Sequence, residues 1–412
     1  MEIIYSCCCG LDVHAKTVVA CLIKAGKKEV RTFSTMTDEL LRLSDWLVSQ
    51  GCTIAAIEST GVYWEPVFNI LEGNVTVLLV NARHYKGIPG RKTDVKDCEW
   101  LADLLRHGLL KASFIPPLEI RELRELTRYR QQLVKEAASI ADRIQKLIES
   151  ANIKLGQVAT DVLGVSGRMM LRALAAGETD AGKMSEFARR RMRSKRAELR
   201  RALEGRLTKS QRWVLGELLT RYEELEAAIR RVEQQIDEEV KGSADPFVSK
   251  AVALLVTIPG VGERVAETIV SEIGVDMSRF PSDQHLSSWG GMCPGNNESG
   301  GKRRSGKTRK GSDYLREALV QAAWAASHTK QTYLAAQYRR LAKRLGKKKA
   351  LVAVGHTLLV MIYHVLARQK SYKELGGDYF DKRNVKTQRQ RLIRRLEATG
   401  LKVIVEEVQN AA

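Results

Sequence analysis

Apolar and polar positions trade places with a short period through residues 5–12, 17–24 and 29–34, the signature of half-buried strands joined by tight turns. Gly26-Lys27-Lys28 is the expected turn between the second and third. From 37 to 50 the period lengthens. Leu40, Leu41, Leu43, Trp46 and Leu47 recur at helical spacing, and Gly51 closes the helix. Apolar runs at 53–57 and 76–80 read as buried strands, with a helix over 63–71 between them. Trp100, Leu101, Leu104 and Leu105 then anchor one more helix to a core.

Three antiparallel strands followed by αβαβα is the order of an RNase H-like domain, so the fold class expected is α/β for residues 1–116 and α thereafter. From 120 to 155 the pattern becomes continuous helix, with Leu123, Leu126, Leu133, Ala137, Ile140, Ile144 and Leu147 at three-and-four spacing. Residues 211–240 repeat it, and the two predict an antiparallel coiled-coil arm within 117–245. A basic segment lies between them: Arg189, Arg190, Arg191, Arg193, Lys195, Arg196, Arg200 and Arg201. It reads as a solvated helix face, a nucleic-acid contact or a dimer contact. After a linker at 242–246, residues 254–274 read as helix, Pro-Gly-Val-Gly turn, helix, a helix-hairpin-helix opening a mostly helical domain over 246–372. Residues 289–311 are too rich in glycine for regular structure and too basic for burial. Helices follow at 312–326, 332–345 and 350–367, and a basic tail occupies 373–412.

Composition narrows the class. The 44% hydrophobic and 28% charged content describes a globular chain, long enough at 412 residues for two or three domains. The net charge of +20 and pI of 9.7 point to a polyanion, nucleic acid first. The charge is clustered: residues 339–349 hold seven basic residues and no acid, and 302–310 hold six and none. None of the seven cysteines forms a CxxC pair, which leaves zinc without support, and their odd number suits a reducing cytoplasm. The apolar run 350–367 carries His356, His364, Gly355 and Thr357, so a buried core helix is expected there and no membrane partner.

Candidate chemistry starts with Asp94 and Asp97, three apart on one helix face, a pair that repels unless a cation sits beside it. Arg91, Lys92 and Lys96 are near, but a divalent metal answers two carboxylates better; the plainer reading is a solvated helix start capped by Thr93. Asp12 follows Gly10 on the first strand, and Glu58 ends a later strand at the carboxyl edge where open α/β sheets bind ligands. Together the four acids would make an all-oxygen site for Mg²⁺ or Mn²⁺. In the helix-hairpin-helix, Gly260 and Gly262 would bring backbone N–H groups to a phosphate, unless it is an ordinary helical hairpin. Ser299-Gly300-Gly301 sets a hydroxyl on a turn beside Lys302, Arg303 and Arg304, with Lys307, Arg309 and Lys310 beyond. Cations around a hydroxyl suit attack on a phosphodiester; Ser305 competes for that role, and a loop that only grips phosphate satisfies the same spacing.

GLDVHAK around Asp12, AIESTGVYW around Glu58, RKTDVKDCEWLADLL around Asp94 and Asp97, IPGVG, and PGNNESGGKRRSGK around Ser299 occur in one order over nearly the whole chain. In that order the sequence resembles the DEDD-type transposases of bacterial insertion sequences, the 110-type family and its 1111-type branch, with Piv-like DNA invertases as relatives. The resemblance implies a RuvC-like domain binding divalent metal through Asp12, Glu58, Asp94 and Asp97. It also implies a recombinase whose Ser299 forms a covalent phosphoserine with DNA. Partners implied are element-end and target DNA, a structured bridge RNA, and further copies of the chain as dimer or tetramer. Rivals from the residues alone are a Holliday-junction-type nuclease and a nucleic-acid-binding module with an idle fold, and the resemblance adds a DNA invertase without a guide.

Overall fold

The computed structural model describes residues 2–59, 61–81, 94–295, 297–300, 302–308, 310–383 and 385–404. The chain divides into two compact units, Met1–Ile115 and Pro116–Ala412.

The first unit is a five-stranded sheet in the order β3-β2-β1-β4-β5, formed by β1 (Cys7–Val13), β2 (Thr17–Lys24), β3 (Lys27–Ser34), β4 (Ile54–Glu58) and β5 (Thr76–Val80). β1, β2 and β3 pair antiparallel, while β4 runs parallel to both β1 and β5. The second turn falls one residue earlier than the sequence suggests. Lys24 pairs with Lys27, and Ala25 and Gly26 both take positive φ, as a tight two-residue hairpin requires. β3, the edge strand, exposes nearly all its side chains, several of them charged.

Side-chain alternation divides the core by the sheet's two faces. Cys9, Leu11, Ala55 and Ile57 join Leu40, Leu43 and Leu47 of α1 (Thr37–Ser49) and Val67 and Leu71 of α2 (Trp64–Leu71). Cys8, Cys21, Ile54 and Ala56 meet Cys98, Leu101, Ala102 and Leu105 of α3 (Asp94–Arg106) on the other. Gly10 sits under α3. A Cβ there would lie 2.2 Å from the Cys98 carbonyl oxygen and 2.5 Å from the Ala102 nitrogen, so the missing side chain lets the helix rest on the strand.

The second unit is mainly helical. α4 (Leu118–Ser150) and α9 (Lys209–Gly242) lie antiparallel: Glu119 meets Ser243, Arg130 meets Glu233, Glu136 meets Arg221, and Ser150 meets Gln211. Leu133, Ala137 and Leu225 form part of the apolar seam. Between them the chain builds a lobe from α5 (Leu155–Val158), α6 (Val165–Ala176), α7 (Ala181–Ser185), a 3₁₀ turn (Arg190–Lys195) and α8 (Arg196–Ala202). Its core of Met170, Leu171, Leu174, Met184, Leu199 and Leu203 is continuous with Ile144 and Ile148 of α4 and Leu215 and Leu219 of α9.

The C-terminal body contains α10 (Phe247–Val256), α11 (Glu263–Ile273), α12 (Asp283–Trp289), α13 (Asp313–Ser327), α14 (Tyr333–Leu345) and α15 (Lys347–Arg368). By length and composition α15 is apolar enough to cross a membrane. Here it is a core helix packed on α13 and α14, burying Val354, Leu358, Leu359 and Ile362. Two short helices, α16 (Tyr379–Arg383) and α17 (Val385–Glu397), follow. One expectation fails in this body. Within residues 289–311, expected to lack regular structure, β6 (Asn297–Ser299) and β7 (Lys302–Ser305) form a hairpin, and an isolated bridge joins Pro294 to Thr308. Strand pairing here comes from backbone hydrogen bonds, so it needs no apolar period.

Candidate active site

β1 and β4 run in the same direction and present their carboxyl ends at one edge of the sheet. Leu11 pairs with Ile57, which places Asp12 and Glu58 at equivalent steps just beyond. Both fall on the strand parity of Cys8, Gly10, Ile54 and Ala56, the positions covered by α3. α3 brings in Asp97 beside the buried Cys98, with Asp94 one turn earlier as the first helical residue; the side chain of Asp94 lies outside the described part. The carboxyl of Asp12 is 15% exposed and pushed above the usual range, first by burial and then by the charges of Asp97 and Glu58. His14 works against them. Its Nε2 lies 3.2 Å from Asp12 Oδ2. Sequence reasoning gave His14 no role, although residues two apart at a strand end share a face.

The edge therefore gathers three described carboxylates, and carboxylate oxygens are the donors that hard divalent cations prefer. Among the described residues no three ligating side chains stand close enough to enclose an ion. The donor chemistry fits such an ion, and the mutual repulsion raising Asp12 is what a cation there would relieve.

The second unit holds the other sequence candidates. Ser299 is the last residue of β6 and pairs with Lys302 across the turn, where Gly300 has φ +59°. The backbones of Ser299, Lys302, Arg303 and Arg304 are described, but their side chains are not, and Arg309 lies outside the described residues. Lys307 and Lys310 are exposed. Gly260 takes φ +88°, and a Cβ there would lie 2.4 Å from the Ala322 carbonyl oxygen, so this glycine is pressed against α13. Gly262 is the N-cap of α11, with open space where its Cβ would be and no capping side chain.

One cluster escaped the sequence. Glu272 of α11 is 1% exposed and accepts hydrogen bonds from Arg128 of α4 at 2.7 and 3.1 Å and from the Ser312 hydroxyl at 2.9 Å. Arg124 donates to the carbonyls of Ser271 and Glu272, and burial lowers its guanidinium to about 10. Tyr314, near the hairpin's exit, lies 4.8 Å under the Arg128 guanidinium. No local pattern signals a pair 144 residues apart.

Residues 9–153 match the DEDD-type transposase model of the IS110 family, described as "Transposase", and residues 252–339 match "Transposase IS116/IS110/IS902 family". A probable family 20 transposase of Pseudomonas aeruginosa is 23% identical over 78% of this chain and 86% of its own. The transposase for insertion sequence element IS1111A of Coxiella burnetii is 21% identical over 89% of this chain and 87% of its own. A pilin gene-inverting protein of Moraxella bovis is 28% identical over 31% of this chain and 40% of its own. Two models of one family, one enclosing the carboxylate edge and the other the turn between α10 and α11, place the chain: it belongs to the IS110 family and is a DNA transposase.

Proposed function

We propose that this transposase cuts and rejoins DNA strands with two pieces of machinery, a divalent-metal carboxylate site on a RuvC-like, RNase H-like domain and a nucleophilic Ser299. The observation that carries the reading is the gathering of Asp12, Glu58 and Asp97 at one sheet edge, with Asp94 one turn away on the same helix. Mg²⁺ or Mn²⁺ held by these acids would supply Lewis-acid polarisation of a phosphodiester. Ser299 Oγ attacks phosphorus and forms an Oγ–P ester as one strand P–O bond breaks. The serine proton passes to water and the departing strand oxygen takes one. The ester keeps the bond energy, so rejoining needs no nucleotide cofactor.

Lys302, Arg303, Arg304, Lys307, Arg309 and Lys310 hold phosphate backbone around that loop, and the free N-cap at Gly262 offers backbone N–H groups to another phosphate. In this reading the antiparallel pair α4 and α9 is the coiled-coil arm, the enzyme works as a dimer or tetramer in the cytoplasm, and a structured element-encoded bridge RNA supplies specificity by base pairing. A second reading, site-specific inversion without a guide, draws support from the pilin gene-inverting protein's likeness.

The test is incubation of the purified protein with element-end DNA, with and without the flanking transcript, followed by denaturing electrophoresis for a covalent protein–DNA adduct. Ser299→Ala should bind DNA and form no adduct, while Ser305→Ala keeps it. An adduct that persists in Ser299→Ala and maps to Ser305 or Tyr314 removes the serine assignment. Cleavage with no adduct at all leaves a metal-dependent nuclease of the Holliday-junction type. Adduct formation without the transcript favours the unguided inversion reading.

A further inference from the structure

The lobe between α4 and α9 falls between the stretches matched by the two family models. Residues 189–201 on this lobe carry eight basic side chains, seven of them arginine, against the single acid Glu198. All eight are exposed. Their treatment differs from that of arginines elsewhere in the same unit. On α4, α6 and α9, outside the basic segment, Arg130 pairs with Glu233, Arg168 with Glu226, Arg172 with Glu223, and Arg221 with Glu136 and Glu224. Within the segment, Arg196 reaches Glu186 and Lys195 donates to the Val158 carbonyl, but among the described residues Arg189, Arg190, Arg191, Arg193, Arg200 and Arg201 meet no acid.

The segment is also held in shape. Ala188 and Leu199 are fully buried beneath it, and Met192 packs on the lobe's core. The Ser166 hydroxyl accepts the Arg189 N–H at 2.9 Å. Arg190 takes φ +47°, a conformation that an L side chain adopts at a cost and that a solvated coil would shed. A rigid surface of unanswered, mutually repelling guanidinium groups makes no sense for stability. Planar forks at fixed positions fit phosphate oxygens.

We propose that this face of the lobe is a docking site for the phosphate backbone of a nucleic-acid duplex, independent of the metal and serine assignments above. It reads no sequence. It grips a duplex at a place separate from the hairpin and adds steep salt dependence to binding.

The test uses the full-length protein and fluorescence anisotropy with a DNA duplex and an RNA duplex, each of arbitrary sequence, over a range of salt. Changing Arg189, Arg191, Arg193 and Arg200 together to Gln should make the slope of log K against log salt shallower by about 3 to 4, since each phosphate contact contributes about 0.9, and should weaken binding roughly a hundredfold near physiological salt. Arg221→Gln, which removes an internally paired arginine, should leave the slope alone. Glu198→Lys should tighten binding severalfold, a gain that misfolding does not mimic. A loss confined to one duplex identifies that duplex as the occupant, and a loss on both assigns the site to the shared backbone. Unchanged slopes in the quadruple variant, or a Glu198→Lys protein that binds no tighter, would overturn the proposal. So would a change limited to self-association, seen by sedimentation without nucleic acid, since the face would then belong to a second copy of the chain.

Discussion

Carboxylates partly or wholly withdrawn from solvent occur in both units of the molecule and keep different company. In the second unit acids are answered by arginine: Glu272 by Arg128, Glu267 and Asp237 by Arg264, Glu233 by Arg130. At the sheet edge of the first unit, Asp12 meets Asp97 and Glu58, and among the described residues the influence that opposes them on Asp12 is the imidazole of His14, itself more than half exposed. A buried acid beside arginine is a fastening. Acids beside acids repel, and a cation arriving between them would relieve that repulsion.

The largest effect that can test this difference is chemical. Asp97→Asn should lower DNA cleavage about a thousandfold or more, a loss on the order of 4 kcal/mol in transition-state stabilisation. The same change removes repulsion, so the thermal midpoint should hold or rise and nucleic-acid affinity should stay within a few-fold. A destabilised Asp97→Asn protein would mean that the edge acids fasten the fold as those of the other unit do. Glu272→Gln is the counterpart and should behave in reverse. It removes the charge that answers Arg128 and leaves one amide oxygen where two carboxylate oxygens accepted from Arg128 and Ser312, a loss of about 2 kcal/mol because Arg128 is itself partly exposed. Chemical denaturation should show that loss, while cleavage per folded molecule is retained.

Next in size is Gly10→Ala. The added methyl would meet backbone atoms of α3 at 2.2 and 2.5 Å, and backbone cannot swing away as a side chain can. Overpacking of this kind costs about 1–3 kcal/mol. Because α3 carries Asp97, lifting the helix should weaken cleavage along with stability. Cleavage unchanged at reduced stability would show that the acids tolerate separation.

The sheet edge was open to sequence reasoning because each of its parts is local. Residues 17–24 and 76–80 coincide with β2 and β5, and the strand order put Asp12 and Glu58 at neighbouring strand ends. The Gly10 reading also holds, with the backbone of α3 as the group that approaches. Features set by distant contacts or by backbone pairing were hidden. Glu272 and Arg128 carry no periodic signal, and the hairpin at 297–305 has only polar and glycine residues, so its strands leave no apolar trace. The basic segment at 189–201 was visible as charge, but its rigidity rests on Leu199, Ala188 and Ser166, which belong to separate elements of the lobe.

The smallest effect concerns Glu267, where the two kinds of company meet. Its side chain is 2% exposed, and burial pushes its carboxyl up to about 7 from 4.5. Arg264 opposes that rise but is shared with Asp237. Between those two values the folded protein holds a proton that the unfolded chain has released. The stabilising contribution of the neutral acid is therefore complete below about pH 4.5 and is lost as pH rises through 7. Glu267→Gln should flatten this part of the stability–pH curve. At pH 8 it should be more stable than the parent by about 1 kcal/mol, less than the full shift implies, because the amide forfeits some attraction to Arg264. Denaturant midpoints at pH 5 and pH 8 measure this directly. If Glu267→Gln is less stable at pH 8, Arg264 holds this acid as firmly as Arg128 holds Glu272, and burial has not decided its charge.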